Sequence, residues 1–322
     1  MLNNEIEKAA AILRSGGLVA FPTETVYGLG ADALNPEAIK KIFSAKGRPQ
    51  DHPLIVHLAD ASHLERWARE IPITAQALAE RFWPGPLTLI LRRAEDVPDS
   101  VTGKQDTVGL RVPAHPVAHA LLQAFGGGIA APSANRFGRI SPTTAEHVRA
   151  ELGGQVDMVL NGGSCDLGIE STIVDLTGSQ PALLRPGKIS ASELQKVLGK
   201  PLAQAGPTSP RAAGMMAVHY APQTPLQVVS GGELAEATHR LNMRGKRAAV
   251  LAYHHTPIAG TNIIWLAAPS QAAGYARELY ANLRGLDQMK CDAILAEEVP
   301  PGEEWDAVRD RLAKATVSKK NF

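Results

Sequence analysis

Two short groups of polar residues have the types and the spacing that binding of a phosphorylated ligand requires. Lys46 and Arg48 stand two residues apart where a helical pattern ends, and Ser133 and Asn135 stand two apart in a loop rich in proline and glycine. An arginine can bind two phosphate oxygens at once and a lysine adds a point charge. Serine and asparagine can fix a polar group by hydrogen bonds. Together with the polar stretch 22–28, these groups predict one composite site.

Each group also has a simpler explanation. Cations at the end of a helix complement its dipole, so Lys46 and Arg48 could be a solvated helix end. Ser133 and Asn135 could only cap a turn, since both residue types favour loops. Pro49 favours ligand binding, because it stiffens the loop that presents the two cations.

Further polar residues lie inside or at the ends of predicted strands. Arg111 stands within the strand pattern 107–112, where it either binds a carboxylate ligand or forms a structural salt bridge. His57 lies in an apolar strand and is either a satisfied core histidine or a ligand. Ser171 and Arg185 are at strand ends, where open α/β sheets bind ligands.

The sequence offers little support for two other kinds of site. Ser133 and His57 supply two members of a serine-hydrolase triad, but there is no G-x-S-x-G elbow and no obvious orienting acid. No spacing of cysteine, histidine or carboxylate residues predicts a metal site, so a metal ion would arrive with nucleotide phosphates. Cys165 and Cys291 are far apart and are expected to be free thiols in a reducing compartment.

The composition is that of a globular protein without a dominant charge. The 322 residues suffice for two domains, 44% are hydrophobic, and the formal net charge is +1. A near-neutral total and 5% aromatic residues argue against a large non-specific nucleic-acid surface. No apolar run reaches the roughly 18–20 residues of a membrane span and no signal segment opens the chain, so the expected location is the cytoplasm.

Alternating strand and helix patterns position these residues. Residues 1–202 alternate regularly, which predicts an α/β domain. A helix that begins at Asn35 and Pro36 delivers Lys46 and Arg48 just at its end. Capping boxes predict two further helix starts: Thr143-x-x-Glu146 and Ser190-x-x-Glu193.

The rest of the chain divides into a linker and a second domain. Residues 203–225 are dominated by alanine, glycine, proline, serine and threonine without a sustained period, which predicts a linker. Within it, residues 214–222 form an apolar and aromatic island that we expect to dock on a folded surface. Residues 226–322 alternate again and predict a smaller Rossmann-like α/β domain. This domain has no G-x-G-x-x-G after a strand and therefore no predicted dinucleotide site.

The ordered series of motifs resembles the YrdC-like family of threonylcarbamoyl-AMP synthases, in its long two-domain form. Lys46-x-Arg48 with Ser133-x-Asn135 is similar to the K-x-R…S-x-N signature of that family. The resemblance implies a twisted open sheet, mostly mixed, with helices around a basic cavity in the first domain. It extends in order through residues 22–30, 46–49, 84–88, 109–113, 132–135, 170–172 and 184–187.

The resemblance implies a nucleotidyltransferase reaction. L-threonine, bicarbonate and ATP would give threonylcarbamoyl-adenylate and pyrophosphate, with Mg²⁺ carried by the nucleotide phosphates. The product would feed the threonylcarbamoyladenosine modification beside the anticodon of tRNA, completed by tRNA threonylcarbamoyl-transferase proteins. A weak tRNA contact and no membrane contact are expected. Such chemistry must bring a carbamate to an α-phosphate and neutralise charge, which needs cations and hydrogen bonds more than a protein nucleophile.

Carried over position by position, the resemblance assigns two sets of ligand residues. L-threonine would contact Thr25, His57, Arg111, Ser171 and the backbone of Ala131, with Arg111 on the carboxylate. ATP would contact Lys46, Arg48, His52, Thr107, Ser133, Asn135, Ser141, Arg185 and Tyr220, of which Lys46, Arg48, Ser133 and Asn135 form the catalytic group. Tyr220 would act as part of a lid. His52 departs from the asparagine that is frequent in the family, so its contact would depend on pH.

Two other functions compete with the synthase. An RNA-binding or regulatory module would show salt-sensitive tRNA binding without forming an adenylate. A serine-type amide hydrolase would use Ser133 as nucleophile and would be labelled by a serine-reactive probe.

Overall fold

Contacts within the chain divide it into two units. A computed structural model describes residues 2–216, 219–254 and 262–316. The first unit comprises Met1–Phe137 and Pro142–Met215, and the second comprises Gly138–Ser141 and Met216–Phe322. The predicted domain boundaries, with a linker over 203–225, stay a prediction. The grouping of four residues near position 140 with the second unit has no counterpart in the sequence pattern.

One large mixed sheet organises the first unit. Its strands are β1 (Val19–Phe21), β2 (Gly28–Asp32), β3 (Ile55–His57), β4 (Ala68–Arg69), β5 (Leu87–Arg93), β6 (Thr107–Arg111), β7 (Ile129–Ala130), β8 (Met158–Val159), β9 (Thr172–Asp175), β10 (Ala182–Arg185) and β11 (Ala203–Gln204). Across the sheet they follow the order β11-β10-β9-β5-β6-β3-β7-β2-β1-β8, and β4 pairs with β5. The β3–β6 pair is parallel, whereas β5–β6 and β3–β7 are antiparallel. The predicted mixed open sheet is therefore confirmed.

Helices cover this sheet and supply much of its core. They are α1 (Leu2–Arg14), α2 (Pro36–Lys46), α3 (Leu64–Trp67), α4 (Ile73–Phe82), α5 (Asp99–Thr102), α6 (Pro116–Phe125), α7 (Ala145–Leu152) and α8 (Ala191–Leu198), with 3-10 turns at Ala61–His63 and Gly153–Gln155. Helices α1 and α6 pack together through a cluster that includes Ala9, Leu13 and Leu121. Burial at helical spacing along α1 explains why its pattern is legible in the sequence.

One of the two predicted capping boxes is wrong by one residue. Helix α8 does begin with the reciprocal box of Ser190 and Glu193. Helix α7, however, is capped by Thr144, whose side chain accepts a hydrogen bond from the N–H of His147 at 3.2 Å. Thr143 is engaged elsewhere, because its N–H donates to Nδ1 of His147 at 3.3 Å. The next threonine therefore takes the capping position.

The second unit is a smaller parallel α/β fold. Its strands are β12 (Leu226–Val229), β13 (Ala248–Ala252), β14 (Ile263–Ala267) and β15 (Ala293–Glu297), in the order β12-β15-β13-β14. Its helices are α9 (Gly231–Met243), α10 (Ala272–Gln288) and α11 (Asp306–Ala315), with a 3-10 turn at Glu303–Trp305. All its strand pairs among the described residues are parallel, as expected for a Rossmann-like domain. The sequence pattern does not predict α9, which buries only Leu234, Ala237 and Thr238.

Much of the predicted linker is packed rather than loose. Ala203–Gln204 forms a strand that extends the first sheet beside β10. Arg211 exchanges two hydrogen bonds with Gln105, at 2.7 and 3.0 Å. The predicted island is docked, because Tyr220 is only 1% exposed. Residues 217 and 218 of the island lie outside the described residues.

Two sequence-based expectations concern membrane-spanning helices and the cysteines. Within residues 2–216, 219–254 and 262–316, no helix has the length and apolarity needed to cross a membrane. Cys165 and Cys291 are both buried free thiols, as expected from their separation in the sequence.

Candidate active site

Helix α2 ends where the cations of the K-x-R group begin. The side chain of Asn35 accepts hydrogen bonds from two N–H groups of the first turn, and Pro36 occupies that turn, as predicted. At the other end, Gly47 has a φ of 61° and its N–H returns to the helix carbonyls. Glycine adopts this left-handed conformation without steric cost. The chain therefore turns sharply between Lys46 and Arg48.

Lys46 joins the K-x-R group directly to the S-x-N group. Its Nζ donates to the backbone carbonyls of Ser133 and Asn135. Its own carbonyl accepts from the N–H of Phe137 at 2.8 Å. Burial, and then the neighbouring charge of Arg48, lower the pKa of Lys46 well below its usual value. The two groups that the sequence predicts to share a site are therefore in contact.

Arg48 and His52 meet at one aromatic ring. Nη2 of Arg48 donates to the carbonyl of Pro53 at 3.0 Å. The guanidinium carbon lies 5.7 Å from the centre of the Phe137 ring, and the imidazole of His52 meets the same ring edge-on at 5.3 Å. Burial and the charge of Arg48 lower the pKa of His52. At neutral pH this imidazole is therefore an uncharged hydrogen-bonding group.

The loop after β1 is held by its own threonines. Oγ1 of Thr23 accepts from the N–H groups of Thr25 and Val26, each at 3.2 Å, and contacts Oγ1 of Thr25 at 2.8 Å. Both threonines are at most 2% exposed. Such side-chain turns satisfy buried backbone donors and fix the loop. The hydroxyl of Thr25 is thereby presented in one orientation.

Arg111 forms a buried ion pair with Glu24. Nη2 of Arg111 lies 2.7 Å from Oε1 of Glu24, and the two side chains are 5% and 8% exposed. The pair is not aligned as a hydrogen bond. Nη1 donates to Oγ1 of Thr25 at 3.0 Å and Nε to the carbonyl of Gly85 at 3.3 Å. The structural salt bridge is thus present, and Nη2 retains the capacity to donate to a ligand carboxylate.

Neighbouring strands bring Ser171 and Arg185 together. Oγ of Ser171 lies 2.7 Å from Oγ1 of Thr88 and accepts from Nη2 of Arg185 at 3.0 Å. Nε of Arg185 donates to the carbonyl of Ser171 at 3.0 Å, and its Nη1 donates to the carbonyl of Ala213 at 3.0 Å. A predicted L-threonine ligand and a predicted ATP ligand are therefore hydrogen-bonded to each other.

His57 is buried beside Arg111. The two residues are direct partners in the β3–β6 register. His57 is 4% exposed and meets the ring of Phe21 edge-on at 5.9 Å. Its Nδ1 has no hydrogen-bond partner in the part of the chain that the structure describes. Burial, and then the charge of Arg111, lower the pKa of His57 to about 3. The imidazole is therefore neutral and a poor base.

This buried histidine gives an expected pH dependence of stability. Because its folded pKa is about 3, the unfolded chain binds a proton below the ordinary value of about 6.5 that the folded chain does not. Between these values the free energy of unfolding should fall with decreasing pH, by up to about 1.4 kcal/mol per pH unit for this group. Urea titrations at pH 4.5 and 6.5 would measure it.

The matched variant for this prediction is His57→Gln, which cannot titrate. Its free energy of unfolding should depend less steeply on pH over the same window than that of the unmodified protein. Equal slopes for the two proteins would contradict the assignment of a neutral His57 in the folded state.

Ala131 and Thr107 occupy different parts of the first unit. Ala131 directly follows β7, and its N–H donates to the carbonyl of Ile55 at 2.9 Å. Arg111 and its neighbours Glu24, Thr25 and His57 form a group that we call the arginine cluster. Thr107 begins β6 whereas Arg111 ends it, so the structure does not place Thr107 in this cluster. Thr107 instead lines a small cavity together with Pro53. The carbonyl of Pro53 accepts the hydrogen bond from Arg48.

Two predicted ATP ligands belong to the second unit. Ser141 is fully buried. Tyr220 stacks on Tyr280 with ring centres 5.7 Å apart. Their contacts with a nucleotide stay predictions.

The first unit concentrates its buried positive charge in these residues. Among its described residues, every buried lysine or arginine is a predicted ligand: Lys46, Arg48, Arg111 and Arg185. Burying a cation is costly unless a partner or ligand compensates. Contacts within the chain supply part of this compensation, such as the carboxylate of Glu24 beside Arg111 and the carbonyls that accept from Lys46.

Two side chains that are not among the predicted ligand residues contact members of that set, although the stretch 22–28 that contains Glu24 is part of the predicted composite site. Glu24 pairs with Arg111, and Thr88 contacts Ser171. Both residues lie inside motif segments that the sequence indicates, 22–30 and 84–88. The sequence does not indicate which residues they contact. Only strand pairing shows that Thr88 lies beside the start of β9.

Comparison with known proteins gives consistent matches for both units. Residues 11–187 match the Sua5/YciO/YrdC family, described as "Telomere recombination", and residues 189–317 match "Threonylcarbamoyl-AMP synthase, C-terminal domain". A threonylcarbamoyl-AMP synthase of Pyrococcus abyssi is 42% identical over 97% of this chain and 94% of its own length. The Bacillus subtilis protein of that name is 41% identical over 97% of this chain and 92% of its own length.

A solved structure has the same fold over nearly the whole chain. The crystal structure of Pyrococcus abyssi Sua5 complexed with L-threonine matches with a TM-score of 0.90 and 42% identity, over 98% of this chain and 94% of that one. A large mixed sheet followed by a smaller parallel α/β unit, each with its own family match, places the chain in the two-domain YrdC-like class of protein. The chain belongs to the threonylcarbamoyl-AMP synthase family.

Proposed function

We propose that this protein makes L-threonylcarbamoyl-adenylate from L-threonine, bicarbonate and ATP, releasing pyrophosphate. Membership of the family supports this reaction, and one relative has been solved with L-threonine. The observation that carries the assignment to this site is the direct junction of the two signature groups: Lys46 holds the carbonyls of Ser133 and Asn135.

The arginine cluster is the proposed site for L-threonine. The substrate carboxylate would bind Nη2 of Arg111, which contacts Glu24 without a hydrogen bond. Thr25 and Ser171 supply hydroxyls, His57 a neutral imidazole, and a fifth contact would come from the backbone of Ala131. Because the imidazole of His57 is neutral, it adds no second positive charge beside Arg111, the proposed partner of the substrate carboxylate.

The K-x-R and S-x-N groups form the proposed site for the ATP phosphates. Lys46 and Arg48 are buried cations, and an anion would restore the charged state that burial disfavours in Lys46. The other proposed nucleotide contacts of the first unit are His52, Thr107, Ser133, Asn135 and Arg185. Ser141 and Tyr220 are proposed contacts from the second unit.

The chemistry can proceed without a protein nucleophile. The amine of L-threonine adds to bicarbonate with loss of water to give a carbamate. A carbamate oxygen then attacks the α-phosphorus of ATP, and the bond to pyrophosphate breaks. The cations lower the barrier by holding the two reactants together and by neutralising charge that develops on the phosphate oxygens.

Mg²⁺ is proposed to arrive with the nucleotide. Among residues 2–216, 219–254 and 262–316, no three histidine, cysteine or carboxylate side chains form a group that could hold a metal ion. Phosphate oxygens are ligands that Mg²⁺ accepts with few protein contacts. The metal would supply additional neutralisation of the leaving pyrophosphate.

The product is proposed to pass to proteins that complete the threonylcarbamoyladenosine modification of tRNA. A weak direct tRNA contact and a cytoplasmic location are part of the proposal, the latter supported by two buried free thiols. The serine-hydrolase hypothesis gains no support, because a histidine with a pKa of about 3 is a poor base for Ser133.

Pyrophosphate release tests the proposed reaction. The purified protein is incubated with ATP and Mg²⁺, and L-threonine and bicarbonate are then omitted in turn. Release that requires both substrates is the expected result. ATP binding without release, or release that ignores L-threonine, would overturn the proposal.

A further inference from the structure

Helix α10 carries three residues on one face that all contact segments outside the helix. Tyr280, Arg284 and Asp287 follow one another at intervals of four and three residues. Residues at these intervals lie on the same side of an α-helix. We call them the α10 stripe. The stripe is not used by any step of the proposed reaction.

Arg284 holds the short segment Gly138–Ser141, which groups with the second unit. Its Nη2 donates to the backbone carbonyl of Ile140. Ile140 is 3% exposed and the next residue, Ser141, is fully buried. A charged donor on a buried carbonyl is among the stronger hydrogen bonds of a protein. Arg284 therefore fixes the backbone immediately before Ser141.

Asp287 holds the chain just beyond Tyr220. Its two carboxylate oxygens accept from the N–H groups of Gln223 at 2.8 Å and Thr224 at 2.7 Å. One of them also lies 4.0 Å from Nη2 of Arg139. A single carboxylate thus engages both the segment that contains Ser141 and the segment that follows Tyr220.

These two segments are also bonded to each other. The N–H of Ala221 donates to the carbonyl of Gly138 at 2.9 Å, and Arg139 pairs with Ala221 in an isolated parallel bridge. Nη1 of Arg139 donates to the carbonyl of Pro222 at 3.3 Å. The stripe therefore contacts a small hydrogen-bonded assembly rather than two independent loops.

Tyr280 completes the stripe by packing against Tyr220. The two rings stack at 5.7 Å with an angle of 29° between their planes. Tyr220 has a φ of 62°, a conformation that bulky residues rarely adopt. Such a backbone persists where surrounding contacts hold it. The contact with Tyr280, together with Arg311 at 5.2 Å from the ring, supplies them.

We propose that Tyr280, Arg284 and Asp287 are positioning residues for the nucleotide, because they hold Ser141 and Tyr220 in place. This inference rests on the proposed function, which assigns ATP contacts to those two residues. It gives the second unit a definite task in the reaction. All proposed L-threonine ligands lie in the first unit, so the stripe should influence ATP and not L-threonine.

The test compares Arg284→Ala and Asp287→Asn with the unmodified protein. We expect the KM for ATP to rise about tenfold in each variant, as loss of one strong hydrogen bond would produce. The Kd for L-threonine, measured calorimetrically without nucleotide, should stay within about twofold. Arg277→Ala is the control, because Arg277 lies on the same helix with a side chain 58% exposed; its kinetics should not change.

An unchanged KM for ATP in both variants would overturn the inference, as would equal losses of affinity for ATP and L-threonine. Asp287→Asn retains the side-chain volume and one acceptor oxygen, so it remains informative if Arg284→Ala fails to fold. If the unmodified protein releases no pyrophosphate, the proposed function fails. Hydrogen exchange then tests only whether Asp287 holds the two segments in place. Amides of residues 138–141 and 220–224 should exchange faster in Asp287→Asn than in the unmodified protein. Equal rates would refute this role of Asp287.

Discussion

Replacing Arg111 with alanine is expected to abolish measurable L-threonine binding and to lower the free energy of unfolding by about 3–5 kcal/mol. The structural part of this effect comes from Glu24, whose side chain is 8% exposed and lies 2.7 Å from the guanidinium. Removal of the arginine would leave this carboxylate buried without its partner. Calorimetry and urea unfolding would measure the two effects separately.

A double variant distinguishes ligand binding from the structural salt bridge. Glu24→Gln with Arg111→Met removes both charges and retains similar volumes, so it should regain most of the lost stability. It should still fail to bind L-threonine, because no cation remains for the carboxylate. If the double variant bound L-threonine as well as the unmodified protein, Arg111 would be a structural residue only.

Replacing Arg48 with alanine is expected to reduce threonine-dependent pyrophosphate release by roughly 100-fold to 1,000-fold. Arg48 belongs to the K-x-R group, and its guanidinium donates to the carbonyl of Pro53 at 3.0 Å. Loss of this hydrogen bond should cost about 1 kcal/mol of stability, and the variant should remain folded. Steady-state kinetics with ATP as the varied substrate, together with a thermal melt, would check both statements.

Arg92→Ala is the matched control for Arg48→Ala. The side chain of Arg92 is 41% exposed and pairs only weakly with Asp106, at 3.2 Å. Its removal should leave both stability and pyrophosphate release close to normal. Near-normal turnover by Arg48→Ala would exclude Arg48 from the reaction, whatever the behaviour of the control.

Local signals made the K-x-R group predictable. Asn35 and Pro36 mark the start of α2, and a glycine after Lys46 marks its end. Capping and turn preferences act over a few residues, so a single sequence contains them. The same holds for the strand ends that carry Ser171 and Arg185.

Pairings between distant residues could not be predicted in this way. Arg111 and Glu24 are 87 positions apart, and the sequence left open whether this arginine bound a ligand or a carboxylate of the chain. The structure shows the carboxylate, because sheet order brings the loop after β1 toward the end of β6. Lys46 likewise binds backbone carbonyls, which carry no sequence signal.

The segment Gly138–Ser141 belongs to the second unit although the chain on both sides of it belongs to the first, and this affects how the protein folds during translation. Ile140 and its partner Arg284 are separated by 144 positions. Chains emerge from the ribosome N-terminus first, and domains fold as they appear. Residues 138–141 are therefore translated long before helix α10. While the surrounding chain folds, they lack their contacts with Arg284 and Asp287. A chain that stopped after residue 215 would lack Arg284 altogether, so the carbonyl of Ile140 would never gain this hydrogen bond.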